Sequence, residues 1–70
     1  MDIREIRSWS DEKLLDELED HKEAMFNLRF QKAFGQLEDA SSIARTRRII
    51  AQIKTIIRER QIARENENAQ

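Results

Sequence analysis

The sequence predicts an all-α protein: two long antiparallel helices forming a helical hairpin, preceded by a short N-terminal helical segment. Three observations carry this prediction. The seventy residues contain no Pro and a single Gly, with 39% charged side chains, a composition of long helices and not of sheets or loop-rich scaffolds. Apolar residues recur at three- and four-residue spacing in two blocks on either side of that Gly. Each block is preceded by Ser or Asp, the residues that cap helix N-termini.

Taken in order, Asp2 followed by Glu5 has the spacing of a capping box and opens a short helical segment within residues 1–9. Ser8 or Ser10 caps a second start, and Asp11, Glu12, Asp16 and Glu17 crowd the turns where the helix dipole favours negative charge. The first long helix is expected over residues 10–34. At 100° per residue Leu14, Leu18, His21, Met25 and Leu28 form one stripe, with Leu15 along its edge. Gly35 alone takes a left-handed conformation at little cost, so the helix should end beside it.

Residues 35–41 form the connection, in which Asp39, Ser41 or Ser42 caps the next helix. That second long helix is expected over residues 42–64. Ile43, Thr46, Ile49, Ile50, Ile53, Ile56 and Ile57 cover an arc of about 140°. The polar run ENENAQ, 65–70, reads as a frayed tail. The whole, 1–70, is one helical-hairpin domain near the lower size limit for independent folding, which points to a component of an assembly.

Composition excludes several classes. Without Cys there is no disulfide framework, thiol nucleophile or thiolate metal site. The N-terminus MDIREIRSWSDEK lacks the apolar core of a secretory signal and the Arg/Ser-rich character of a transit peptide, and no apolar run reaches membrane-spanning length. A soluble, cytoplasmic protein is expected.

Net charge is only −1, but it is unevenly distributed. Residues 1–40 carry six Lys/Arg against eleven Asp/Glu, whereas 41–70 carry seven against three. From Ile43 to Arg58 there are five cations (Arg45, Arg47, Arg48, Lys54, Arg58) and no acid. On the helical wheel Arg47, Lys54 and Arg58 lie within about 40° of one another, with Arg48 farther round. A solvated helix face usually mixes signs at four-residue spacing. This ridge, about 17 Å long and with the Thr55 hydroxyl nearby, suits the phosphates of a nucleic-acid backbone.

Other candidates carry less. Phe26, Phe30 and Phe34 lie to one side of the leucine stripe: either they pack against Ile3, Ile6 and Trp9, or they form an exposed edge for a protein or RNA partner, with Arg29 and Lys32 beside it. His21 on the apolar stripe reads as a core or boundary histidine and not as a metal ligand or catalytic group. The acids from Asp11 to Glu23 read as a solvated face, because a hairpin has no pocket in which to shift a carboxylate pKa. No catalytic residue, metal site or cofactor is expected, and the protein is not an enzyme.

The runs NLRFQKAFGQL (27–37) and SSIARTRRIIAQIKTIIRER (41–60), with IREIRSWSDEKLLDEL before them, resemble the bacterial-type large-subunit ribosomal protein twenty-nine family over nearly the whole chain. The resemblance implies a structural constituent of the large ribosomal subunit, bound to its ribosomal RNA near the polypeptide tunnel exit beside ribosomal protein twenty-three. Nascent-chain factors such as trigger factor or the signal recognition particle approach that rim. It further implies an RNA-facing set of Arg29, Gln31, Gln36, Arg47, Arg48, Lys54, Thr55 and Arg58. It implies the cytoplasm, with an organelle-encoded copy as the alternative location. Ala44, where many members carry a basic residue, and the acidic overall charge depart from the family pattern. The alternative is a non-ribosomal interaction module that oligomerises through the isoleucine stripe.

Overall fold

The computed structural model describes residues 2–68. It contains three helices, α1 (Ile3–Arg7), α2 (Asp11–Ala33) and α3 (Ser41–Asn68), and no strand among the described residues. The two long helices pack against each other in an elongated body of 54 × 19 × 16 Å. This is the expected hairpin with its short N-terminal helix.

Local chemistry accounts for each end. The Asp2 carboxylate accepts the Arg4 N–H at 2.9 Å and starts α1. Ser10 Oγ accepts the Lys13 N–H at 3.1 Å and starts α2, with Asp11 and Glu12 in its first turn. At the far end Gly35 has φ +70°. The Gln36 N–H donates to the Gln31 carbonyl (2.8 Å) and the Gly35 N–H to the Lys32 carbonyl (3.1 Å). This pair of bonds is the Schellman arrangement, which satisfies two carbonyls that the last turn leaves open. Asp39 Oδ1 then accepts both the N–H (3.0 Å) and the hydroxyl (2.6 Å) of Ser41, opening α3.

The expected boundary at residue 64 and the frayed tail from 65 are corrected: α3 continues to Asn68. Residues 65–68 contain neither Gly nor Pro, and Glu and Asn cost only a few tenths of a kcal/mol each, ~0.5, in a helix. Polarity alone does not end it. Residues 69–70 of the expected tail lie outside the described residues.

The core sits at the end of the hairpin that α1 crosses. Ile6, Leu14, Leu18, Ile53 and Ile56 form it, and Ile3, Trp9, Ile49, Ile50 and Ile57 pack around it. The isoleucine stripe is therefore closed within one chain: Ile53 and Ile56 are 0% and 2% exposed, which leaves the centre of the stripe no surface for a second copy. Arg60 fastens α1 to α3, donating to the Asp11 carboxylate at 2.8 Å and to the Arg7 and Trp9 carbonyls at 3.1 and 2.8 Å. Arg64 also pairs with Asp11, and Arg7 meets Glu59 at 3.1 Å.

The three phenylalanines stay out of this core, with Phe26, Phe30 and Phe34 at 68%, 54% and 65% exposure. Packing against Ile3, Ile6 and Trp9, the first of the two expectations, does not occur. The link from α1 to α2 is only Ser8 to Ser10, so α1 reaches the first turns of α2, while Phe26 lies about 22 Å farther along the helix axis.

Candidate nucleic-acid interface

The cations divide into two sets by whether they have an acidic partner. Arg4, Arg7, Lys13, Lys22, Arg45, Arg60 and Arg64 each lie within 3.9 Å of a carboxylate. Among the described residues, Arg29, Lys32, Arg47, Arg48, Lys54 and Arg58 make no ion pair, and all six are exposed. This second set contains every Arg and Lys that sequence reasoning assigned to RNA. An exposed cation with no partner in its own chain leaves its hydrogen-bond donors available to an external anion.

Arg45 shows why charge along the sequence is an incomplete guide. It stands in the acid-free run but binds Asp39 at 2.9 Å and Ser41 Oγ at 2.6 Å, so it belongs to the cap of α3. The two hydrogen bonds from Ser41 and the Arg45 guanidinium hold the Asp39 carboxyl down to about 2. Asp11 is likewise held below the ordinary carboxylate range, first by its hydrogen bond from Arg60 and then by that from Arg64.

The unpaired set does not form one ridge. Arg47 and Lys54 on α3 meet Lys22, Met25, Phe26 and Arg29 on α2, with Ile50 between, to line an open groove of about 360 Å³ along one flank of the hairpin. Arg48, one residue on and therefore about 100° round the helix, lines a second groove with His21, Ala24, Ser42, Arg45, Thr46 and Ile49. Arg58 follows Lys54 by four residues on the same face of α3.

The remaining candidates take different places. Thr55 donates its hydroxyl to the Ala51 carbonyl at 2.8 Å, so the proton expected to serve a phosphate is directed into its own helix, a common arrangement for Thr in a helix interior. Gln31 and Gln36 are exposed and are joined through their main chains by the Schellman bond. Their side chains flank the end of α2. His21 is half-buried, with Nδ1 2.7 Å from the Glu17 carbonyl. A carbonyl only accepts, so Nδ1 carries the proton. Among the described residues, no group of His, Asp or Glu is arranged to hold a metal ion, and no helix is long and apolar enough to cross a membrane.

Sequence reasoning did not join Lys22, Met25 and Ile50 to the cations. The signal was present in the spacing. Lys22, Phe26 and Arg29 recur at four and three residues on α2, as Arg47, Ile50 and Lys54 do at three and four on α3, so each trio shares one helix face.

Comparison with known proteins gives a consistent result. A family model described as "Ribosomal L29 protein" matches residues 4–60, a range that includes both long runs and every candidate residue. The chain is 48% identical over 62 residues to the "Large ribosomal subunit protein uL29" of Thermosipho africanus (strain TCF52B), covering 89% of this chain and 94% of that protein. It is 52% identical over 62 residues to the protein of the same name from Thermoanaerobacter sp. (strain X514), covering 89% and 90%. With that of Fervidobacterium nodosum (strain ATCC 35602 / DSM 5306 / Rt17-B1) it shares 52% over 58 residues, covering 83% and 88%.

Proposed function

The chain belongs to the ribosomal L29 protein family, and from that premise we propose that it binds large-subunit ribosomal RNA through Arg29, Arg47, Arg48, Lys54 and Arg58. Its family makes it a structural constituent of the large ribosomal subunit and not an enzyme. The observation that carries the RNA reading is the partition of cations. Every basic side chain assigned to phosphate lacks an acidic partner among the described residues, whereas Arg45, in the same run, has one. Phosphate contacts position a protein without reading sequence, which suits a set of exposed cations spread over two helices.

The proposal extends to the surroundings. The protein sits at the rim of the polypeptide tunnel exit beside ribosomal protein twenty-three, in the cytoplasm, where trigger factor or the signal recognition particle approaches. Support for this neighbourhood is the family resemblance. The half of the hairpin bearing Phe26, Phe30 and Phe34 has the apolar exposure of a surface that another component covers.

Reversing Arg47, Arg48 and Lys54 together to Glu tests the RNA reading. All three are exposed, so helical content by circular dichroism should stay within experimental error. Co-sedimentation with large subunits should be lost, and normal recovery of the triple variant in mature subunits refutes the proposal.

A further inference from the structure

The groove carrying Arg29, Arg47 and Lys54 differs from a phosphate-binding ridge in having an apolar floor. Phe26, 68% exposed, lines it together with the buried Met25 and with Ile50. Among the described residues no acidic side chain lines it. Its ligand must therefore present negative charge and a flat apolar face within a few ångströms of each other. A nucleotide does so only when its base has left the stack, because a paired and stacked base hides both faces.

The aromatic surface continues beyond the groove. Phe30 and Phe34 follow Phe26 at successive four-residue steps, about 6 Å apart along the axis. The Phe30 and Phe34 rings stand 4.7 Å apart at 39° to each other. We infer that this groove seats an unpaired nucleotide of the bound RNA, with its base on the Phe26 ring and the adjoining phosphates on Arg29, Arg47 and Lys54. The inference rests on the RNA reading above and deepens it: the RNA at this flank is a bulge or loop and not a regular duplex. A protein segment, the competing occupant, would have to bring carboxylates to meet three cations that have no acid of their own.

Chemical probing of large subunits assembled with the full chain tests this. Hydroxyl radicals read the RNA backbone, and dimethyl sulfate with a 2′-hydroxyl acylating reagent reads unpaired nucleotides. Phe26→Leu keeps apolar bulk and removes the aromatic face at an exposed position. In that variant one unpaired nucleotide within the footprint should gain about tenfold in reactivity, the occupancy lost with one base–aromatic stack. Backbone protection by Arg48 and Arg58 should persist, and Phe26→Tyr should restore the wild-type pattern. Identical base reactivity in wild type and Phe26→Leu overturns the inference while leaving phosphate binding intact. So does a Phe26→Leu effect confined to the cross-links or occupancy of a neighbouring protein. Absence of any backbone footprint overturns the RNA reading and this inference with it.

Discussion

Arg60 and Asp11, forty-nine residues apart in sequence, are joined at 2.8 Å, and this bond ties the two long helices together at the open end of the hairpin, opposite the Gly35 turn. The same guanidinium donates to the main-chain carbonyls of Arg7 and Trp9. One side chain thus holds the turn between α1 and α2 against α3. Its 28% exposure makes it the most sheltered Arg of the ion pairs.

Arg60→Ala should therefore destabilise the fold by about 2 kcal/mol, the range for hydrogen bonds made by a charged donor. Urea unfolding checks the magnitude. Amide exchange should show α1 released first, since Arg60 holds its carbonyls. A loss below about 0.5 kcal/mol would place this network with ordinary surface pairs.

The Asp39 cap should lose strength in acid. Its folded pKa, about 2, lies below the ordinary value of 3.8. A group whose pKa is depressed on folding contributes stability that is present above its unfolded pKa and lost as pH falls through the folded value. The window thus runs from about pH 4 down to about 2. Carboxyl-carbon chemical shifts should give Asp39 a midpoint near the lower end, and Ser41→Ala should raise it.

Gly35 is constrained by its backbone and not by crowding. A Cβ there would meet nothing within 4 Å, yet φ is +70°. Gly35→Ala should cost about 1–2 kcal/mol, the penalty of a left-handed conformation for an ordinary residue, whereas Gly35→Asn should cost less. Equal melting temperatures for Gly35→Ala and wild type would contradict the Schellman assignment.

Neutralising about five phosphates gives a salt dependence with a log–log slope of about −4 for binding to an RNA fragment. Removing one contact by Arg58→Gln should make the slope shallower by about 1. Arg45→Gln should leave it unchanged, because Arg45 is already paired with Asp39. A shallower slope with Arg45→Gln would return that residue to the interface.

Periodicity made much of the fold legible. The leucine and isoleucine stripes fell where packing put them, and Gly35, Ser10 and Asp39 were recognisable as caps because capping involves residues within a few positions of one another. The end of α3 was misread since a polar tail and a polar helix look alike in composition. Four of the unpaired candidate cations, Arg47, Arg48, Lys54 and Arg58, were legible as a group because no acid stands between Ile43 and Arg58, although the same run also holds Arg45, which folding pairs with Asp39.

Which cation has a partner depends on folding. Asp11 captures Arg60 and Arg64 only because the helices run antiparallel. Arg47 and Arg48, adjacent in sequence, part to opposite grooves because one residue turns a helix by about 100°. The sequence by itself determined two amphipathic helices, their caps and an excess of positive charge in the second, all of which rest on contacts within a few residues. Tertiary structure decided which charges are neutralised, that the phenylalanines stay exposed, and that Phe26 shares a groove with Arg29, Arg47 and Lys54. The reason is that helix register brings together side chains whose separation in sequence carries no periodic signal.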